Sequence, residues 1–309
     1  MDQIYIYEVG PRDGWQNVAE LISTEEKKKI IDGLADAGVS HIQICSFVSP
    51  RAIPQMRDAK EVAKYCVSRY PNIDLLALVP NLRGAKDAQE AEIRHLSYVV
   101  SLSESHNKAN INRTREESLQ ELENIMEAYP DLNICVDIAT AFGCPFEGKP
   151  KEGELAKFAE QVYGMGIREI CLCDTIGAAN PRQVREEIRR VEKTCPELEL
   201  MVHIHDTRGM GLACTLAAAE AGVTKVQSTL GGLGGCPFAP GASGNTATED
   251  LVYMFQNMGY DTGIDFSRLL KLSEYQKSVI QGNYSGHHVM IQMMQECGEK
   301  GGRQICTAR

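Results

Sequence analysis

Short apolar runs rich in β-branched residues alternate along the chain with longer segments in which apolar positions recur every three or four residues. The short runs predict strands and the longer segments predict amphipathic helices, because these spacings match the two side-chain periodicities. Strands are expected at residues 4–9, 41–45, 75–79, 96–101, 134–138, 169–172, 200–204 and 225–228. Helices are expected at residues 24–37, 56–70, 84–91, 114–129, 152–165, 181–194, 211–221 and 248–258.

The residues between these segments support the assignment. Ser23 precedes Glu26 by three residues, which is the spacing of a capping box at the start of a helix. Glycines stand one residue beyond three predicted helix ends, at Gly38, Gly166 and Gly222, where left-handed backbone commonly ends a helix. Strands that alternate with helices predict a parallel sheet joined by right-handed crossovers.

Eight strand–helix units favour a closed (β/α)8 TIM barrel, an α/β fold, formed by residues 1–260. An open doubly wound sheet is the alternative, since it is built from the same units. Residues 261–309 are surplus to the barrel. They are expected to form a C-terminal helical extension, with a helix at 269–280, and a tail packed on the same domain.

Composition narrows the class of protein. The chain has 309 residues, of which 43% are hydrophobic and 24% are charged, as in an ordinary globular protein. A net charge of −10 argues against a nucleic-acid partner, because phosphate binding needs a basic surface. No apolar run approaches the roughly 20 residues that cross a bilayer, and no signal-peptide profile opens the chain. We therefore expect no membrane association and a cytoplasmic location.

Polar residues cluster where predicted strands end, which is where TIM barrels place their active sites. His203 and His205 are two apart on one strand and so project to the same face. Asp13 and Asn245 follow the first and last strands, which closure of the barrel makes neighbours. This set of nitrogen and oxygen ligands suits Mg²⁺ or Mn²⁺, with Zn²⁺ less suited. The alternative is that both histidines are hydrogen-bonded residues of the barrel interior.

Other side chains at the strand ends have candidate roles. Arg12, beside Asp13, is placed to stabilise an enolate or oxyanion, the alternative being a buried ion pair. Asp174 is a candidate for contact with metal-bound water or substrate, or else caps its loop. Gln16 is a candidate for holding water or a carboxylate. Cys236, in a glycine-rich loop, is either a proton donor or a small apolar filler.

Two further features each have a functional and a non-functional interpretation. Residues 103–115 carry His106, Lys108, Arg113 and Arg115, a candidate anion-binding patch or a solvated loop. Cys306, three residues from the C-terminus, is either an exposed, silent tail residue or a redox-sensitive thiol at a subunit interface. For Cys306 we favour the silent interpretation.

Six stretches together are similar to the 3-hydroxy-3-methylglutaryl-CoA lyase family, within the barrel superfamily that also contains isopropylmalate and homocitrate synthases. They extend from residue 8 to residue 250 and so span the predicted barrel. The glycine-rich loop that carries the cysteine resembles the lyases rather than the synthases. The stretches are EVGPRDGWQN (8–17), SFVSP (46–50), GCPFEGK (143–149), DTIG (174–177), HIHDT (203–207) and GGLGGCPFAPGASGNTATED (231–250).

The resemblance implies a function and a set of roles. It implies a divalent cation bound by Asp13, His203, His205 and Asn245. It implies that Arg12 stabilises an enolate, that His203 and Cys236 transfer protons, and that Gln16 and Asp174 lie near the substrate. The implied reaction is metal-dependent retro-Claisen cleavage of 3-hydroxy-3-methylglutaryl-CoA, or a close relative, to acetyl-CoA and a keto acid.

The chain departs from the family's pattern at several positions. Gln43 stands where the family usually has glutamate, and Gln227 where it commonly has aspartate. Arg208 stands where tyrosine is common, and Trp15 replaces a smaller aliphatic residue. These changes predict a related substrate, a 3-hydroxy acid or 3-hydroxyacyl thioester with an extra anionic group that pairs with Arg208. The residues predicted to contact the substrate are Gln16, Gln43, Thr175 and Arg208.

Two other functions compete with an acyl-CoA lyase. One is an aldolase or condensing enzyme of the same superfamily, acting on a 2-oxo acid or a free hydroxy acid. The other is a non-catalytic binding protein that keeps a relic site, a reading that the neutral Gln43 and Gln227 suggest. By analogy with the family, the C-terminal helices are expected to form a homodimer.

Overall fold

Eight parallel strands form a closed barrel in chain order, in a computed structural model that describes residues 2–235 and 244–291. Each strand pairs with the next, and the eighth pairs with the first. The predicted TIM barrel is thereby confirmed. The strands are β1 (Tyr5–Glu8), β2 (His41–Ser46), β3 (Asp74–Leu78), β4 (His95–Ser101), β5 (Asn133–Ala139), β6 (Glu169–Asp174), β7 (Glu199–Ile204) and β8 (Lys225–Ser228).

Helices between the strands surround the barrel, and the last one follows it. Those of eight or more residues in the described part of the chain are α1 (Thr24–Asp36), α2 (Ala59–Arg69), α3 (Leu82–Glu90), α4 (Glu104–Ile111), α5 (Arg115–Ala128), α6 (Glu154–Gly164), α7 (Pro181–Thr194), α8 (Gly211–Glu220), α9 (Thr248–Asn257) and α10 (Phe266–Val279). Among the described residues, no helix has both the length and the apolar character needed to cross a membrane.

Helix starts follow the capping chemistry of the sequence. The Ser23 hydroxyl accepts a hydrogen bond from the Glu26 amide at 3.2 Å, so the predicted N-cap of α1 is present. The glycines that follow α1, α6 and α8 have positive φ, between 92° and 106°, which a residue with a Cβ rarely adopts. Local sequence therefore sets where these helices begin and end.

Two helical turns were not predicted. Residues Gly10–Gly14 form one π-helical turn directly after β1, and it carries Arg12 and Asp13. The segment interpreted as a patch or solvated loop contains α4, which Ser103 caps through the His106 amide. Helix α4 has only eight residues and little amphipathic pattern, so its periodicity gives no clear signal.

The side chains inside the barrel are charged at its N-terminal end and apolar in the next layer. At the N-terminal end, His95 is bonded to Asp74 and Glu169, each at 2.9 Å, and Lys225 bonds Glu169 at 2.5 Å. Burial alone would lower the pKa of His95, but Asp74 and Glu169 raise it to about 9. Above this ionic network lies an apolar layer that includes Tyr7, Leu76, Cys135, Cys171 and Met201.

The helix that follows the barrel packs against it. Helix α10 contacts α1 and α9. The Trp15 indole donates to the Gln276 side chain at 3.1 Å, and Gln276 donates to the Leu230 carbonyl at 3.0 Å. Trp15 is fully buried by this packing. Residues on α10 therefore support the loops that follow β1 and β8.

The Glu8 carboxylate connects the first strand to the segments after the last one. Oxygen Oε1 accepts hydrogen bonds from the amides of Gly10, at 2.7 Å, and Leu230, at 2.9 Å. Oxygen Oε2 accepts one from the Thr248 hydroxyl at 2.6 Å. Complete burial raises the pKa of Glu8 to about 7. Glu8 thus joins β1, the turn after β8 and the start of α9 at a single side chain.

We expect Glu8→Ala to lower the free energy of unfolding by about 3 kcal/mol, because two buried amides lose their acceptor. Glu8→Gln keeps an acceptor and should cost less. Because the folded pKa lies above the unfolded one, the native state binds the extra proton between pH 4.5 and about 7. This group's contribution to stability therefore declines as pH rises through that window.

Urea unfolding at pH 5 and pH 8 checks both expectations. Glu8→Gln should remove the part of the pH dependence that Glu8 contributes. Equal stability of Glu8→Ala and Glu8→Gln would contradict the assigned role of the carboxylate.

Candidate active site

A cavity of about 460 Å³ opens at the C-terminal end of the barrel. Its lining contains both polar and apolar side chains. The polar ones include Arg12, Asp13, Asp137, His203, His205 and Gln227. The apolar ones include Val48, Ile53, Leu78, Val79, Pro80 and Ile111. Arg12, Asp13, His203 and His205 lie where the sequence analysis predicted them, at the carboxyl ends of strands.

His203 and His205 face each other inside the cavity, as their spacing on one strand predicts. Their Nε2 atoms are 3.1 Å apart, and both side chains are buried. The other ring nitrogen of His203, Nδ1, is 2.9 Å from the Gln227 side-chain oxygen. Because an amide oxygen only accepts, this contact favours the tautomer of a neutral His203 ring with the proton on Nδ1 and the lone pair on Nε2.

The π-helical turn brings Asp13 to the same point. The Asn245 side-chain amide donates to Asp13 Oδ2 at 2.8 Å, and Gln16 donates to Oδ1 at 3.0 Å. Arg12 also bonds Oδ1. Burial acts to raise the pKa of Asp13, but the neighbouring groups, chiefly the Arg12 guanidinium, outweigh it and lower the pKa to about 2. Asp13 is therefore ionised at neutral pH.

These residues fit a divalent cation. One ligand atom from each of Asp13, His203 and His205 can be chosen so that all three lie within 4.8 Å of one another. The Asn245 oxygen is buried and has no hydrogen-bond partner among the described residues. Burial and the neighbouring His203 lower the pKa of His205 to about 4, so the ring is neutral, as a ligand must be. An unpartnered oxygen, an anion and two imidazoles form a suitable donor set.

Arg12 lies between this group and the barrel wall. Its Nε donates to the side-chain oxygen of Gln43, while another guanidinium nitrogen bonds Asp13. Arg12 lines the cavity, whereas Gln43 is fully buried behind it and is absent from the lining. In this geometry Gln43 orients Arg12, and its predicted contact with a substrate stays a prediction.

The loop after β6 contains two predicted residues with different positions. Thr175 lines the cavity, and its hydroxyl accepts from the Thr140 amide at 2.7 Å. Asp174 is not part of the lining and caps its own loop by accepting from the amides of Ala178, at 2.9 Å, and Ala179, at 3.1 Å. Burial raises the pKa of Asp174 to about 6. Its geometry matches the capping alternative.

Arg208 is exposed and also lies outside the cavity lining. Its guanidinium donates to the backbone carbonyls of Ile176, at 2.6 Å, and Gly177, at 3.0 Å. These bonds join the loop after β7 to the loop after β6. The predicted pairing of Arg208 with a substrate anion therefore requires the guanidinium to leave these carbonyls, and stays a prediction.

The predicted anion-binding patch does not form a single cluster of free cations. Arg113 donates to the Pro80 carbonyl at 3.1 Å, and Arg115 donates to the Leu102 carbonyl at 2.6 Å. Lys108 donates to the Asn112 carbonyl at 3.3 Å. Only His106 of the four named residues lines the cavity.

Two predicted cysteines, Cys236 and Cys306, lie outside the described residues. The described Gly235, which precedes Cys236, lines the cavity. The described part of the glycine-rich loop therefore reaches the cavity at Gly235. The predicted role of Cys236 as a proton donor stays a prediction.

Sequence analysis missed Asp137, a carboxylate on β5 that lines the cavity and is buried. The Ser97 hydroxyl on β4 donates to it, and the Gln227 side chain also bonds it. Burial raises the pKa of Asp137. The signal was present in the sequence, since Asp137 interrupts an apolar strand in register with the inward-facing Cys135 and Ala139.

Comparison with known proteins gives a consistent picture. The HMGL-like family matches residues 3–275. The mitochondrial hydroxymethylglutaryl-CoA lyase of Homo sapiens is 43% identical over 275 residues, which cover 88% of this chain and 84% of that protein.

Two solved structures have the same architecture. The HMG-CoA lyase of Bacillus subtilis has a TM-score of 0.90 and 38% identity, covering 95% of this chain and 99% of the other. The HMG-CoA lyase of Acinetobacter baumannii, in complex with coenzyme A and 3-methylmalate, has a TM-score of 0.88 and 40% identity. That match covers 100% of this chain and 98% of the other.

We expect Asp174→Ala to lower the free energy of unfolding by about 2 kcal/mol, because two backbone amides lose a buried acceptor. Asp174→Asn retains one acceptor oxygen and should cost less. Urea unfolding measures the loss, and Mn²⁺ titration of the same variants should give unchanged affinity, since Asp174 touches none of the proposed ligands. Weaker Mn²⁺ binding with unchanged stability would contradict the capping role.

Proposed function

The chain belongs to the HMGL-like family, and on that premise we propose that it cleaves 3-hydroxy-3-methylglutaryl-CoA to acetyl-CoA and acetoacetate. It is a carbon–carbon lyase of the hydroxymethylglutaryl-CoA lyase kind. The observation that carries the proposal is the meeting of Asp13, His203 and His205 beside Arg12 in one cavity, with the Asn245 side chain bonded to Asp13. The aldolase, condensing and non-catalytic alternatives are not favoured.

The cofactor we propose is Mg²⁺ or Mn²⁺. Asp13, His203, His205 and Asn245 would hold it through two nitrogens and two oxygens, a set that contains no thiolate. Such an ion lowers the pKa of a hydroxyl bound to it and polarises a neighbouring carboxylate.

Side chains of the protein then account for the proton transfers and for the stabilisation of the enolate. A base removes the proton of the 3-hydroxyl, the C2–C3 bond breaks, and its electron pair forms the enolate of the acetyl thioester. The lone pair on Nε2 of His203 would be taken up by the cation and its Nδ1 faces Gln227, so the proton transfer that the resemblance implies for His203 stays a prediction. Arg12 faces the cavity and offers its positive charge to the enolate oxygen. Proton return to C2 completes acetyl-CoA, and we assign that step to Cys236.

An acyl-CoA substrate suits the mixed lining of the cavity. The polar side chains can accept the hydroxyl and carboxylate of the substrate, while the apolar side chains can contact its methyl and methylene groups. The relative from Acinetobacter baumannii was solved with coenzyme A, which supports a thioester substrate for this chain. Homodimer formation remains part of the proposal.

The proposed activity is tested with purified protein loaded with Mg²⁺ or Mn²⁺ and given 3-hydroxy-3-methylglutaryl-CoA. We expect equal amounts of acetyl-CoA and acetoacetate to form. Chelation should stop the reaction, and Asp13→Ala should remove both Mn²⁺ binding and turnover. Bound Mn²⁺ without cleavage would overturn the substrate assignment, and other 3-hydroxyacyl thioesters and free hydroxy acids would then be screened.

Arg12 has a separable role. We expect Arg12→Met to lower kcat by about 10²–10³, the usual effect of losing a donor to a developing oxyanion. Mn²⁺ affinity should not fall, because the substitution removes a positive charge next to Asp13. Arg12→Lys is the matched control, which keeps the charge but loses the bond geometry. Unchanged kcat in Arg12→Met would rule out enolate stabilisation by Arg12.

A further inference from the structure

Four buried side chains form a continuous chain of hydrogen bonds across the barrel interior. Ser97 on β4 donates to Asp137 on β5, and the Gln227 side chain on β8 bonds the same carboxylate. Gln227 Oε1 lies 2.9 Å from Nδ1 of His203 on β7. These hydrogen bonds therefore connect Asp137, which is not a proposed metal ligand, with His203, which is one.

The direction of each bond follows from the groups present. The Gln227 side chain presents its amide NH₂ to Asp137, a bond that acts to lower the pKa of this carboxyl. That orientation leaves the Gln227 oxygen facing His203. An oxygen only accepts, so the proton of the neutral imidazole is placed on Nδ1. The lone pair of His203 is then on Nε2, which lies 3.1 Å from Nε2 of His205.

Gln227 alone would not enforce this arrangement. A side-chain amide can rotate by 180°, and the rotated form would offer its NH₂ to His203 and favour the proton on Nε2. That form would direct an N–H at the point where the proposed ligands meet. Rotation also places the Gln227 oxygen against the Asp137 carboxylate, where two acceptors repel. Asp137 is thus the group that distinguishes the two orientations.

We infer that Asp137 is a positioning residue that, by fixing the orientation of Gln227, keeps the lone pair of His203 on Nε2. This inference rests on the proposed function only in taking His203 as a metal ligand. Partners on the far side of ligating histidines generally tune metal affinity, by about 10–100-fold. In this chain the partner acts through an intervening amide.

Several groups surround the Asp137 carboxyl. Burial raises its pKa, while the Ser97 hydroxyl, the Arg12 guanidinium and the Gln227 amide act in the opposite direction. The thiols of Cys171 and Cys173 also lie close to the carboxylate. Burial raises the pKa of the Cys171 thiol well above its ordinary value, so this thiol adds no negative charge.

The test measures the tautomer of His203 and the affinity for Mn²⁺ in the full-length protein. Long-range ¹⁵N–¹H correlation spectra of metal-free, histidine-labelled protein report which ring nitrogen carries the proton. We expect a single Nδ1–H form in the unmodified protein. In Asp137→Asn, a neutral amide can bond either orientation of Gln227, so both tautomers should be present. Mn²⁺ affinity should fall by about tenfold or more.

A double variant should restore the tautomer of His203 that Asp137→Asn disturbs. Asp137→Asn combined with Gln227→Glu exchanges the carboxylate and the amide between the two positions. The new carboxylate accepts from Nδ1 of His203 directly, while the new amide donates to it. We expect the Nδ1–H form and the Mn²⁺ affinity to return.

A control separates positioning from folding. Glu169→Gln removes another buried carboxylate of the barrel interior, one that contacts His95 and Lys225 at the opposite end. It should lower thermal stability and leave the His203 tautomer and the Mn²⁺ affinity unchanged. If Asp137→Asn does not fold, Gln227→Met tests the same chain, because it removes the acceptor that holds the proton on Nδ1 and should also produce both tautomers.

Either of two results would overturn the inference. One is a single Nδ1–H form and unchanged Mn²⁺ affinity in Asp137→Asn or, where that variant does not fold, in Gln227→Met. The other is a double variant that binds Mn²⁺ no better than Asp137→Asn. Neither readout uses a substrate, so a failure of the proposed lyase activity is distinguishable from a failure of this inference.

Discussion

Closure of the barrel between its first and last strands is the constraint on which the site depends. The pairing of β1 with β8 brings Asp13 within 2.8 Å of the Asn245 side chain, although 232 residues separate them. Glu8 stabilises the junction from within, since its carboxylate bonds the segments after both strands. Without this pairing the two histidines on β7 would have neither the carboxylate nor the amide beside them.

The site balances charge with few ionised groups. Asp13 carries a negative charge next to Arg12, while His205 is held neutral by burial and by its neighbour. Gln43 and Gln227 contribute hydrogen bonds without charge, and each orients a residue that lines the cavity. Asp137 supplies a carboxylate from a neighbouring part of the barrel wall. Each of these two neutral amides therefore has a structural role, and that role is compatible with an active enzyme.

Much of the architecture could be predicted because it depends on local pattern. Strand spacing predicted the barrel, and the rule that strand ends meet predicted the convergence of Asp13, His203, His205 and Asn245. The π-helical turn and α4 could not be predicted, since both are short and draw their stability from tertiary contacts. Gln43 and Arg208 show a different limit. The sequence places both residues near the site. Only the folded structure distinguishes a side chain that lines the cavity from one that orients its neighbours.

Anomalous diffraction from crystals grown with Mn²⁺ tests most directly whether barrel closure creates a metal centre. The expected result is one strong peak within coordination distance of the Asp13 carboxylate, Nε2 of His203 and His205, and the Asn245 oxygen. A protein that cleaves its thioester while this position holds no metal would contradict the account. So would a peak that instead lies beside Asp137, Cys171 and Cys173, the other group of potential ligands among the described residues.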